Sequence, residues 1–239
     1  MGKKAALVTG AGTRVGRAIA LALAEDGWDI AIHYRNSKRE ATAVAASIKK
    51  MGGRSVLVRA DLTDEKELKK IFPAAKALGE ISLLVNNAAA FERDNLKNFS
   101  RKSWQAHLDT NLYAPLVLAR EFAKQCKGEG QVINLVDGCA GWSISENFLS
   151  YSVSKLGLEN ITRLLARSLA PKIRINAIAL GPTLPGKLDK KDTFAKLARM
   201  APLQRLSSVE EVCDTVKFLL QAPSVTGQVI SLSSGLSAP

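Results

Sequence analysis

Ala5-Ala6-Leu7-Val8-Thr9-Gly10-Ala11-Gly12-Thr13-Arg14-Val15-Gly16 lies at the start of the chain and narrows the possible architectures sharply. Four consecutive apolar residues suit a strand buried on both faces. Gly10, Gly12 and Gly16 let the backbone turn tightly, and the residues from Arg14 onward are patterned as a helix. A helix that opens straight out of a glycine turn offers unpaired N–H groups and a positive dipole end to a phosphate. The spacing is looser than G-x-G-x-x-G, so the turn alone could be purely structural. Its place inside a strand–turn–helix unit argues for a nucleotide site.

Outward from that stretch, strand and helix patterns alternate to the end of the chain. Strand-like runs occupy 5–9, 29–34, 54–60, 82–86, 131–136, 174–179 and 228–232. Helical patterns lie near 14–26, 38–51, 64–78, 101–127, 150–169 and 207–220. This alternation predicts an α/β fold: a doubly wound parallel sheet of about seven strands with helices on both faces. No linker, repeat or low-complexity tract interrupts it, so residues 1–239 read as a single domain. The irregular stretch is 182–205, where Pro182, Pro185, Gly186 and Pro202 bracket a short helix around Asp192–Arg199. It reads as a substrate loop, with Phe194, Leu197 and Met200 as an apolar stripe over the pocket. Trp104 and Trp142 read as packing residues.

Bulk properties exclude several classes. Apolar residues make up 46% of 239, enough for a sizeable core, and no run approaches the ~18 apolar residues of a membrane span. Lys3, Lys4 and an immediate strand leave no room for a signal peptide. Cys126, Cys139 and Cys213 are dispersed and fit neither a metal site nor a disulfide framework, so a cytoplasmic setting without metal is expected. The net charge of +12 is spread along helices and mixed with acids. It reads as a solvated surface attractive to anionic small molecules, with no nucleic acid or membrane partner.

Two further positions refine the chemistry. At the end of the second strand, NAD-type sites place an acid to accept from the ribose 2′-hydroxyl. Here the chain reads His33-Tyr34-Arg35-Asn36-Ser37, with donors for a 2′-phosphate and no carboxylate until Glu40. NADPH is therefore expected over NADH. Downstream, Tyr151 and Lys155 are four apart in a helical stretch, which sets phenol and ammonium on one face. A nearby cation favours phenolate, so the pair is expected to form a proton donor usable near neutral pH.

Over essentially its whole length the chain resembles the short-chain dehydrogenase/reductase family, whose members are single-domain Rossmann folds. The matching pieces are Thr9 through Gly16, Asp61-Leu62, Asn86-Asn87-Ala88-Ala89, Asn111, Tyr151 with Lys155, and Asn176 through Gly181-Pro182. The resemblance implies that Gly10, Thr13, Arg14 and Val15 cradle the cofactor phosphates, and that Asp61 and Leu62 hold the adenine. Asn87, Ala88 and Ala89 would line the ribose. Gly181, Pro182 and Thr183 would sit by the carboxamide. Lys155 would hold the nicotinamide ribose, Asn111 a proton-relay water, and Tyr151 would deliver the proton. A homotetramer, with the Tyr151 helix at a subunit interface, is also implied.

The departures from the family pattern are informative. Arg14 stands where most members have glycine. Asp137-Gly138 occupies the place of the serine that polarises a carbonyl. Leu180 replaces a proline, and Ser233-Ser234-Gly235 replaces the usual C-terminal Asp-Gly-Gly. Arg14, Asp137, Phe91 and the His33-Tyr34-x-x-Ser37 run resemble the pteridine reductase branch, which includes dihydromonapterin-type reductases. The expected activity is hydride transfer from NADPH to a dihydropterin-like ring. Tyr151 would donate the proton, Asp137 would feed it, and Phe91 and Arg14 would contact the ring. Asp137 lies 14 residues before Tyr151, one more than that branch leads one to expect. The alternatives are a reductase of a ketone, sugar or 3-oxoacyl thioester, or a non-catalytic NADPH-binding protein.

Overall fold

The computed structural model describes residues 4–140, 147–186 and 192–237. Trp142 and residues 187–191 of the expected substrate loop lie outside the described residues. The elements in chain order are β1 (Ala5–Val8), α1 (Arg14–Glu25), β2 (Asp29–Tyr34), α2 (Lys38–Lys50), β3 (Ser55–Arg59), α3 (Glu65–Leu68), α4 (Ile71–Ala75), β4 (Ile81–Asn86), α5 (Arg101–Leu108), α6 (Ala114–Gln125), β5 (Gly130–Asp137), α7 (Leu149–Leu169), β6 (Ile173–Leu180), α8 (Thr193–Met200), α9 (Val209–Gln221) and β7 (Val229–Leu232). The strands form one seven-stranded sheet in the order β3-β2-β1-β4-β5-β6-β7. Every pairing is parallel. The expected α/β Rossmann architecture is present.

Strand residues alternate between two cores, as the period of two demands. Ala6, Val8, Ile30, Ile32, Leu83 and Val85 face α1, α2 and α9 through Ile19, Leu23, Val44, Ile48 and Val216. Ala5, Leu7, Ala31, Leu84 and Val132 face α4 and α6 through Ile71, Phe72, Leu118 and Phe122. Burial on both faces is why these strands read as continuous apolar runs.

A polar thread crosses this apolar interior. Asn86 on β4 donates from Nδ2 to Asn134 Oδ1 on β5 at 2.8 Å. Asn134 Nδ2 in turn donates to Thr162 Oγ1 on α7 at 2.9 Å. Thr162 donates to the Leu158 carbonyl within its own helix.

Two helical patterns break where the sequence reads as continuous. The pattern over 64–78 becomes α3, α4 and a 3₁₀ turn, because Pro73 supplies no N–H in mid-segment. The pattern over 101–127 is interrupted by a π-helical turn at Asp109–Tyr113, which contains Asn111. π-Turns recur at functional sites. On α8, Phe194 and Leu197 are half-buried and Met200 is exposed. Trp104 on α5 is half-buried. Among the described residues no helix is long and apolar enough to cross a membrane, and no group of His, Cys, Asp and Glu is arranged to hold a metal.

Candidate active site

Because all strands run parallel, their C-terminal ends share one edge. The strand order reverses between β1 and β4, which opens a crevice there. The glycine turn leaves β1 at this point. Gly10 has φ +64, a left-handed backbone that favours glycine. A Cβ on Gly16 would lie 2.4 Å from both the Gly10 carbonyl oxygen and Asn87 Nδ2, so the turn and the helix start are in backbone contact. Thr13 caps α1 without spending its hydroxyl, and no acid stands in the first turn. These residues fit a dinucleotide pyrophosphate. Val15 packs on the core beneath. Arg14 also adopts φ +53, a left-handed backbone that glycine reaches without strain. Its guanidinium donates to the Pro185 carbonyl at 2.8 Å and the Leu184 carbonyl at 3.0 Å, tying the turn to the loop after β6.

The β2 end differs in part from expectation. His33 presents no nitrogen to a ligand. Nδ1 accepts from the Gly10 N–H at 3.1 Å, and Nε2 pairs with the Ala60 carbonyl at 3.1 Å. With Nδ1 accepting, the proton resides on Nε2. Burial pushes the imidazole down to about 4, so the ring is neutral and braces the glycine turn from below. Tyr34 is buried in the core. Arg35, Asn36 and Ser37 are the members of the run that reach the surface of the crevice. Ser37 Oγ lies 2.9 Å from where a Gly12 Cβ would stand. Arg35 Nε pairs with Asp61 at 3.0 Å. Burial raises the Asp61 carboxyl, but bonds from the Thr63 N–H and hydroxyl and the Arg35 charge outweigh it, leaving the group below the carboxylate range. Leu62 is buried beside it.

After β4, Asn87 and Ala88 donate their N–H groups to Thr9 Oγ1 at 2.9 and 3.0 Å, leaving Ala89 exposed. After β6, the Gly181 N–H donates to the Leu232 carbonyl, Thr183 donates to the Gly181 carbonyl, and Pro182 lies half-buried between them. A Cβ on Gly181 would sit 2.8 Å from Ser233 Cα, so the backbone needs glycine here.

The reacting end is assembled from β4, β5 and α7. Tyr151 Oη donates to Asp137 Oδ2 at 2.8 Å, and the Cys139 N–H holds Oδ1 at 2.7 Å. The 14-residue separation therefore does not carry the two apart. Lys155, 4% exposed, donates to the Leu135 carbonyl at 2.7 Å. The expected acidification of the phenol is reversed: burial, then the Asp137 charge and hydrogen bond, raise Tyr151 well above the usual phenol value. Burial also lowers Lys155 to about 8, against the pull of Asp137. Lys155 Nζ lies 5.9 Å from the centre of the Tyr151 ring. Spacing on a helix face could not reveal that the hydroxyl is bonded to the anion, Asp137.

Asn111 is held by its side-chain amide on both sides. Its Nδ2 donates to the Ala90 carbonyl at 3.0 Å and Ser154 Oγ at 2.9 Å, while Oδ1 accepts from the Ala90 N–H at 2.8 Å. Both amide donors are spent clamping the Phe91 segment to α7. Phe91 itself stacks on Phe148 (4.5 Å between centroids, 8° between planes) and meets the Tyr151 ring edge-on at 4.7 Å. Phe148, Ser154, Asp94 and His107 were not singled out in the sequence. Only Phe148, an aromatic three residues before Tyr151, carried a readable signal.

A family model described as enoyl-(acyl carrier protein) reductase matches residues 10–237. The chain is a short-chain dehydrogenase/reductase. The 3-oxoacyl-[acyl-carrier-protein] reductase FabG of Staphylococcus aureus is 32% identical over 243 residues, covering 98% of each chain. FolM alternative dihydrofolate reductase 1 from Brucella suis, crystallised with NADP, superposes with a TM-score of 0.93 at 37% identity, covering 99% of this chain and 96% of that one. A short-chain dehydrogenase from Burkholderia cenocepacia, also with NADP, superposes with a TM-score of 0.91 at 30% identity, covering 98% of each. The expected cofactor class, NADP(H), is the one these neighbours hold, and the family places the chain among oxidoreductases.

Proposed function

We propose that this chain is an NADPH-dependent reductase of dihydropterin-like rings. The observation that carries the reading is the 2.8 Å bond from Tyr151 Oη to Asp137, in the position where a carbonyl-reducing member would present a serine hydroxyl, with the Phe91 ring against the same tyrosine. The bound dinucleotide would supply the hydride. Thr13, Arg14 and the start of α1 would take its pyrophosphate. Arg35, Asn36 and Ser37 would take the 2′-phosphate, with His33 supporting them from below. Asp61 would face the adenine. Lys155 would hold the ribose beside the nicotinamide.

Hydride addition to a C=N leaves charge on nitrogen, and a proton must arrive there as it develops. A phenol raised by burial keeps its proton until that moment. When Asp137 is protonated it can donate to Tyr151 Oη as the phenol proton moves to the ring, so the pair passes one proton inward. A planar ring seated by Phe91 gains roughly 0.5–1.5 kcal/mol from stacking. The likeness to FolM at 37% identity supports this reading. The relationship to FabG favours a second one, reduction of a 3-oxoacyl thioester or another carbonyl. In that chemistry a serine hydroxyl would steady the carbonyl oxygen beside Tyr151, and Asp137-Gly138 supplies none. A non-catalytic NADPH-binding role would leave the Tyr151–Lys155–Asp137 grouping without purpose.

A homotetramer fits the exposed apolar residues Leu116, Val153, Leu156 and Leu164 on α6 and α7, beside a groove of about 590 Å³. The proposed setting is the cytoplasm. The test is NADPH oxidation with dihydropterins against a panel of ketones and 3-oxoacyl thioesters. Tyr151→Phe should lose about 10²–10⁴-fold in turnover while retaining NADPH binding. Full activity of that variant, or turnover of carbonyls alone, refutes the proposal.

A further inference from the structure

The segment after β4 runs beside the helices and is fastened at several points. Ala88 is held by Thr9 and Ala90 by Asn111. The Glu92 N–H donates to His107 Nε2 at 3.1 Å. The buried Asp94 carboxylate accepts from the Ser150 N–H and the Ser103 hydroxyl, each at 3.0 Å. Between these anchors, Phe91 and Arg93 meet one ring. Phe91 stacks on Phe148, and the Arg93 guanidinium carbon lies 5.6 Å from the centre of that same Phe148 ring. Phe148 is in turn 6.4 Å from the Tyr151 ring, so the two separations place the Arg93 charge within about 12 Å of the reacting tyrosine.

Arg93 has no ion-pair partner among the described residues. Its neighbour Asp94 is taken up by the serines, and Glu92 makes no bond to it. A guanidinium is always charged, and its planar fork of donors matches carboxylate geometry. Aromatic contact holds it in place at little entropic cost.

We propose that Arg93 reads an anionic tail on the ring substrate. The preferred substrate is then a dihydropterin whose side chain ends in carboxylates, rather than one with a short neutral side chain. The ring would sit at Phe91 with its C=N at Tyr151, and the tail would leave along Phe148 to the guanidinium. This inference rests on the dihydropterin reading above.

The experiment compares KM for 7,8-dihydrofolate and for a neutral 7,8-dihydropterin in the wild type, Arg93→Gln and Arg93→Lys, with NADPH binding as the check on folding. Arg93→Gln should raise the ratio of KM for dihydrofolate to KM for the neutral pterin about five- to tenfold. Arg93→Lys, which keeps the charge but loses the fork, should fall between. The wild-type preference should shrink as salt rises. An unchanged ratio in Arg93→Gln overturns the inference while leaving the dihydropterin reading standing. A wild type that reduces neither pterin overturns both. An Arg93→Gln effect confined to a 3-oxoacyl thioester bearing a phosphate arm assigns the cation to that other anion and overturns the proposal.

Discussion

His33 should make the cofactor turn acid-sensitive. In the folded chain its Nδ1 accepts from the Gly10 N–H, so a proton on that nitrogen would set two donors against each other at the base of the glycine turn. Burial lowers the group from 6.5 to about 4. A basic group lowered on folding contributes stability that is complete above its unfolded value and is lost as pH falls toward the folded one. The window therefore runs from pH 6.5 down to about 4. The difference between the two values corresponds to about 3 kcal/mol in total, of which about 2 kcal/mol is already lost at pH 5. The assay is urea unfolding at pH 7.5 and pH 5 for the wild type and His33→Asn, with the histidine contribution read as the difference between them. Wild type should lose about 2 kcal/mol more than the variant, and its NADPH affinity should weaken over the same interval. Equal pH dependence in the two proteins would refute the reasoning.

Two further perturbations follow from the same geometry. Gly16→Ala drives a methyl to 2.4 Å from the Gly10 carbonyl oxygen and should cost about 1–3 kcal/mol with loss of NADPH binding, whereas Gly27→Ala, with nothing within 4 Å, should cost only its left-handed backbone strain; thermal melts compare them. Lys155, lowered to about 8, should impose a loss of turnover above that pH. The sign for stability is opposite: its buried charge opposes folding at neutral pH and is relieved as pH rises from 8 toward 10.5, so Lys155→Met should raise the melting temperature at pH 7 while losing activity.

The sheet was legible because parallel strands buried on both faces must be apolar throughout, and β2 is read at its observed bounds, Asp29–Tyr34. Breaks inside helices were less legible. The split before Pro73 had a local cause, but the π-turn carries Asn111 into tertiary bonds with Ala90 and Ser154 that no periodicity encodes. In the site, residue types gave the partners and left their distances open. Tyr151, Lys155 and Asp137 could be nominated from sequence. Which charge governs the phenol depended on side-chain direction at the end of β5. Likewise, the place of His33 at a strand end does not tell that both its ring nitrogens face backbone.

The Asn86–Asn134 bond has a bearing on how the chain finds its sheet. Strands of valine, isoleucine and leucine are nearly interchangeable, and little in their side chains distinguishes one alignment from the next. Asn86 is aligned with Asn134 across the central seam. A slip of one residue would oppose it to Ile133 or Leu135 and strand two buried amides, at about 1–3 kcal/mol for each unsatisfied group. The amide pair thus acts as an address that favours one alignment of β4 on β5.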